Sequence, residues 1–144
     1  MRVERALPTD VHAIEALLAA SHLPLDGAAG AFATGVVARD DTAVVGAAAI
    51  EPHGDAGLLR SVVVAPELRG TGVGANLLAS AEALAGELGI GELYLLTETA
   101  EAWFARRGYE RLDRDDVPER VRRSVEFVTA CSDKAVAMKR RLGS

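Results

Sequence analysis

The stretch Arg69-Gly70-Thr71-Gly72-Val73-Gly74-Ala75 follows an apolar run, Val62-Val63-Val64, that Pro66 stops. Glycines at positions 70, 72 and 74 let main-chain amides close on an anion with no side chain in the way. The amphipathic stretch behind them starts a helix. Its first N–H groups have no partner inside the helix, and its dipole favours negative charge there. Arg69 adds a fixed charge whose forked donors suit phosphate oxygens. Strand, loop and helix start together make a seat for phosphate. A second chemical feature is Arg60-Ser61, set in an otherwise apolar strand. A guanidinium there is expensive unless it meets a carboxylate or faces a cleft. Arg60 therefore either holds an acidic ligand or closes a structural ion pair. His12, His22, His53 and Cys131 show no metal-ligand spacing, and no metal is expected. Cys131 is the one cysteine. Such a residue is ordinarily a small buried hydrophobe, and a soft ion wants several thiolates.

These residues need elements to hold them. Arg2 to Ala6 reads as a first strand. Pro8-Thr9-Asp10 starts a helix whose apolar positions are Val11, Ile14, Leu17 and Leu18. Pro24 and nearby glycines end it, and a short second helix fits around Ala28 to Ala33. Val36 to Arg39 and Ala43 to Glu51 read as strands about an Asp40-Asp41 turn. Pro52 to Gly57 reads as a hairpin turn into the strand that carries Arg60. After the glycine loop, Leu77, Leu78, Ala81, Leu84, Ala85 and Leu88 form one face of a helix about four turns long. Gly89 ends it. Leu93 to Leu96 is a strand apolar throughout, hence buried on both faces. Thr97 or Thr99 caps a helix that Gly108 stops, and Tyr109 to Leu112 is a strand. Pro118 marks a helix start in the charged segment that follows, and Ala135 to Arg140 is a last strand. Three antiparallel strands, then a crossover helix, give an α+β layout and not pure doubly wound alternation.

The chain has 144 residues, 49% of them apolar and 26% charged, which suits a single domain spanning 1–144. A net charge of −5 argues against a nucleic-acid partner, and Lys139-Arg140-Arg141 is too short to provide a basic face. No apolar run is long enough for a membrane span, and the N-terminus has no signal-peptide core. With one cysteine, a cytoplasmic setting is expected. Oligomeric state is open, a homodimer included. Gly70-x-Gly72-x-x-Ala75 also fits a permissive dinucleotide-binding fingerprint. The strand, however, opens no alternating β-α-β unit, Pro66 to Arg69 lengthens the connection, and Glu92 begins the next strand instead of ending it. A P-loop is excluded because no Gly-Lys-Ser/Thr follows.

Arg-x-x-Gly-x-Gly at 69–74, behind a strand ending Val-Val-Val-Ala-Pro, resembles motif A of the GCN5-related N-acetyltransferases, the GNAT family. The order of elements is similar over nearly the whole chain. The resemblance implies a mixed, mostly antiparallel central sheet with helices on both faces. It implies acetyl-CoA as co-substrate, with its pyrophosphate on Arg69, Gly70, Thr71, Gly72, Val73, Gly74 and Ala75. The pantetheine arm would run along Val62, Val63 and Val64, pairing with Val62 and Val64 through main chain only. The segment Thr97 to Tyr109 keeps the spacing of the family's later motif, so Thr99 and Phe104 fall beside the coenzyme and Thr97 beside the acceptor. Thr97 stands where asparagine is usual. Phe104 stands where the family often has the tyrosine that protonates the departing thiolate. Tyr109 occupies the next strand's aromatic position. Glu51 and Glu98 are candidate bases for the acceptor amine, and Arg60 and Ser61 are candidate contacts to the acceptor. Of Trp103 and Phe104, one is expected in the core, with Phe104 along the coenzyme.

The implied activity is transfer of an acetyl group to the amine of a small, amino-acid-like acceptor by direct attack. The alternative is a coenzyme-binding sensor or interaction module with little turnover. The phrases LLRSVVVAPE, LYLLTETAEAWFARRGY and VPERVRRSVEF…ACSDKAVAMKR further resemble the second subgroup of GNAT proteins associated with arsenic-resistance operons. A relative in that setting acetylates the α-amine of arsinothricin, a glutamate-like antibiotic whose acidic groups would suit Arg60. Val117 to Phe127 would then be either a lid over the acceptor or packing on the sheet.

Overall fold

The computed structural model describes residues 1–20, 34–123 and 135–142. The expected second helix around Ala28 to Ala33, His22, Cys131 and the end of the proposed lid lie outside the described residues. Among the described residues, seven strands form one sheet: β1 (Arg2–Arg5), β2 (Gly35–Asp40), β3 (Ala43–His53), β4 (Ala56–Val64), β5 (Glu92–Thr97), β6 (Glu110–Leu112) and β7 (Val136–Arg141), in the order β1-β2-β3-β4-β5-β7-β6. Every neighbouring pair is antiparallel except β4 with β5. The helices are α1 (Val11–Ala20), α2 (Val73–Glu87), α3 (Glu101–Ala105) and α4 (Glu119–Arg122). The β3–β4 hairpin is tighter than expected. β3 runs on to His53, and Gly54, with φ +74°, makes the turn with Asp55.

The sheet is two halves joined by a short seam. β4 pairs with β3 along its length, and β5 pairs with β7 from Glu92 to Thr97. Between β4 and β5 the pairing covers only Ala56 with Glu92, Gly57 with Leu93 and Leu58 with Tyr94. Beyond Leu58 the strands diverge into a fork. A bulge helps to open it: the register with β3 goes from Arg60 opposite Ala49 to Val63 opposite Ala47, so β4 carries an extra residue at Ser61–Val62. An unpaired extra residue bends its strand and raises the local twist.

Packing keeps the halves together. α2 buries Val73, Leu77, Leu78, Ala81, Leu84 and Ala85 against Val36, Ala38, Ala48, Ile50 and Leu59. A fully buried leucine contributes about 1.5–3 kcal/mol relative to exposure, so this helix anchors the fold. α1 covers the opposite face through Ile14 and Leu18, on Val37, Ala47, Ala49 and Val63. Val117 and Val121 of the α4 region cover Leu58, Tyr94 and Ala137. Asp10, expected as a helix-start residue, accepts the Leu7 N–H at 2.8 Å and a two-pronged bond from Arg39 at 3.0 Å on each oxygen. The Arg39 hydrogen bonds hold its carboxyl below the usual aspartate range against the opposing effect of burial.

Candidate functional site

The fork opens into a cleft of about 810 Å³. One wall is the end of β4, Val62, Val63 and Val64. The floor is Leu68, Arg69, Gly70, Gly72, Gly74 and Ala75, and the far wall is Thr99, Ala100, Trp103, Phe104 and Arg107. β4 stops because Pro66 enters a 3-10 turn, Pro66–Leu68, while the Ala65 N–H still donates to the Val45 carbonyl at 2.8 Å. Gly70 and Gly72 then take φ of +83° and +92°, where a side chain would be strained. Gly72 is the N-cap of α2, so the helix begins with no capping side chain between its free N–H groups and the cleft.

Gly74 serves differently. Its φ is ordinary, but a Cβ there would lie 3.5 Å from the Trp103 ring and 3.7 Å from Val64. It keeps a narrow gap between α2 and α3 open. Two loop residues do not line the cleft with their side chains. Val73 turns inward and is 5% exposed within the α2 core, and the Thr71 hydroxyl donates back to the Leu68 carbonyl.

On the far wall, both adjacent aromatics line the cleft, and one of them is also a core residue, as expected. Phe104 is the core residue, stacked edge-on against Trp103 and Tyr109. Trp103 is half-buried and carries the Arg107 guanidinium 3.8 Å above its ring, with Arg107 Nη1 donating to the Trp103 carbonyl at 2.9 Å. Trp103, Arg107, Leu68 and Ala100 escaped the sequence reading. Their only signal was the i, i+4 spacing of Trp103 and Arg107, which does not say what that helix face meets. No tyrosine lines the cleft. Tyr109 donates to Glu82 at 2.8 Å in the core, where burial and the Glu82 carboxylate push its hydroxyl far above the ordinary tyrosine value. Thr99 is exposed at the rim. The Thr97 hydroxyl accepts the Ala100 N–H at 3.0 Å and so shapes the turn into α3.

Arg60 and Glu51 meet on the opposite sheet face. Arg60 lies two residues past Leu58, the last β4 residue paired with β5, at the base of the fork, and is only 2% exposed. Its Nη1 donates to Glu51 Oε2 at 3.2 Å, and His53 Nε2 donates to Glu51 Oε1 at 2.9 Å. The ion pair left open by the sequence is therefore present. Glu51 and His53 keep about a fifth of their side-chain surfaces exposed. Ser61 is the next residue of the same strand. Glu98 is exposed beyond the end of β5. Among the described residues, no three His, Cys, Asp or Glu converge as metal ligands would, and no helix is long and apolar enough to cross a membrane.

The family model for the acetyltransferase (GNAT) domain matches residues 32–111. An amino-acid acetyltransferase from Ralstonia nicotianae is 38% identical over 85 residues, 58% of this chain and 19% of that protein. The amino-acid acetyltransferase of Escherichia coli K12 is 33% identical over 85 residues, with the same shares. The chain thus spans about a fifth of the length of these curated relatives. Among solved structures, N-acetylglutamate synthase from Neisseria gonorrhoeae, complexed with coenzyme A and N-acetyl-glutamate, is similar with a TM-score of 0.83 at 23% identity, over 99% of this chain and 35% of that one. Rv2747 from Mycobacterium tuberculosis, in complex with CoA and NLQ, gives 0.82 at 24% identity, over 99% of this chain and 100% of that one. At these identities the structural likeness speaks for the fold.

Proposed function

The chain belongs to the GNAT acetyltransferase family, and on that premise we propose that it transfers an acetyl group from acetyl-CoA to the α-amine of a small, glutamate-like amino acid. The observation that carries this reading is the fork. Past Leu58, the β4 edge that would face β5 has no strand partner among the described residues and leads to a helix start capped by a glycine. An extended pantetheine arm would replace the missing strand beside Val62 and Val64, and the diphosphate would rest on the amides from Gly70 to Ala75 with Arg69 beside them. The gap kept by Gly74 fits a ligand that needs close backbone approach. An amino-acid acceptor is supported by the amino-acid acetyltransferases among the relatives and by the N-acetyl-glutamate in the neighbouring structure.

The acceptor approaches from the α1 side of the sheet, where Glu51, paired with Arg60, keeps about a fifth of its side chain exposed near the base of the fork. The amine nitrogen attacks the thioester carbonyl. A C–N bond forms, the C–S bond breaks, and the amine proton passes to the Glu51 carboxylate, which Arg60 and His53 hold in place. The thiolate leaves and takes its proton from water. Its parent thiol has an ordinary pKa of about 8.5, so departure needs no tyrosine. Glutamate analogues, including the arsenic-containing arsinothricin, are the finer version of the acceptor.

Thiol release from acetyl-CoA is measured across glutamate, arsinothricin, phosphinothricin and amino acids with uncharged side chains. Acidic acceptors are expected to react, and Glu51→Gln to lower turnover by about 10²-fold, a typical general-base contribution, with Glu98→Gln near wild type. Coenzyme binding without thiol release against every amine would instead identify a binding module.

A further inference from the structure

The mechanism leaves one cation of the cleft without a task. Arg107 lies on the far wall, across from the end of β4 and two residues past α3. It is held twice over, by the face of Trp103 at 3.8 Å and by the Trp103 carbonyl at 2.9 Å. No carboxylate among the described residues pairs with it. Its other surface cations offer a contrast: Arg123 is taken by Glu119, Arg111 faces Glu101, and Arg140 is taken by Glu82. A guanidinium stacked on an indole keeps its charge and gives up little freedom on binding, because its plane is already fixed. One Nη1 hydrogen is spent on the carbonyl, and the remaining donors form a fork able to take a phosphate side-on.

The position narrows which phosphate. Trp103 meets the first turn of α2 with one edge, at Gly74, and carries Arg107 on a face. Arg107 therefore stands beside the diphosphate seat but on a separate element. The seat already has the loop amides, the α2 dipole and Arg69. Coenzyme A bears one more anionic group, a phosphomonoester on the ribose, offset from the diphosphate by the sugar. A phosphomonoester carries about −1.5 to −2 charge near pH 7. We propose that Arg107, oriented by Trp103, binds the ribose 3′-phosphate and makes the cleft selective for coenzyme A over its 3′-dephospho form. This rests on the coenzyme reading of the cleft and adds a specificity residue to it.

Titration calorimetry with coenzyme A and with 3′-dephospho-coenzyme A tests it on the full chain. The wild type is expected to prefer coenzyme A by about tenfold, the scale of one partly exposed charge-assisted contact. Arg107→Gln should lose that tenfold for coenzyme A and bind 3′-dephospho-coenzyme A as the wild type does, which also shows that the variant is folded. Arg107→Lys should recover only part of the preference, since the fork and the stacking are lost. Equal wild-type affinities for the two coenzymes overturn the inference and leave the coenzyme site standing. A variant that weakens both ligands alike overturns it too, by placing Arg107 on a shared part of the molecule. Binding of neither by the wild type sinks the coenzyme reading itself, and the inference with it.

Discussion

The two faces of β4 meet their tasks with different materials. On the cleft side, β4 past Leu58 presents main chain with no strand partner among the described residues, and the loop beyond it presents amides and space. Gly70 and Gly72 supply conformation, and Gly74 supplies clearance. On the reverse side, side chains do the organising. Arg60 holds Glu51, and Glu51 holds His53, across two strands. A site made of backbone tolerates side-chain change wherever the chain keeps its path. A network of buried charge tolerates repositioning of the chain poorly and the loss of either partner worse, because an uncompensated charge is left in a medium that solvates it badly.

The sharpest break of this comparison is Glu51→Ala. It strands the Arg60 guanidinium and is expected to cost about 3 kcal/mol of folding stability, the low end for a broken buried pair because Glu51 is partly exposed. Val64→Ala removes a half-buried side chain on the cleft side and should cost less than about 1.5 kcal/mol. Denaturant unfolding of the two variants decides it, and a larger loss for Val64→Ala would reverse the contrast.

Within the cleft, the glycines separate conformation from space. Gly72→Ala should lose about 1–2 kcal/mol of stability, since alanine is strained at φ +92°. Gly74→Ala meets only ordinary contacts in the protein and gains helix propensity, so its stability should hold or rise slightly. Its coenzyme affinity should nevertheless fall, because the added methyl occupies the gap toward Trp103. Thermal unfolding beside coenzyme titration reads both, and an unchanged affinity in Gly74→Ala would show that nothing needs that gap.

The smallest effect concerns a pair that touches neither face of β4. Arg39 lowers the Asp10 pKa in the folded state. The stabilisation is therefore complete above the ordinary aspartate value of about 4 and is lost as pH falls through the lower folded-state value. Asp10→Asn should cost about 1 kcal/mol at neutral pH, since Arg39 keeps its bond to Glu4, and should flatten the acid limb of the stability curve. Unfolding midpoints between pH 2 and 7 report the slope.

Much of this was legible in the sequence wherever the cause is local. Pro66 had to end β4, the alternate glycines had to open a backbone path, and the apolar spacing of α2 had to bury one face. Val73 falls in step with Leu77 and Leu84, so its inward turn was readable from periodicity as well. What only the tertiary structure decided concerns partners far apart in the chain. Arg60 had two readings until β3 set Glu51 within reach. Which of Trp103 and Phe104 is the core ring was open until the packing of α3, not its spacing, set Phe104 against Tyr109. Arg107 gained a cleft to face only when β4 and β5 parted after Leu58. Short-range sterics and hydrogen bonding act between neighbours and are written into their order. Desolvation and charge pairing depend on what arrives from elsewhere, and that is known only once the sheet is assembled.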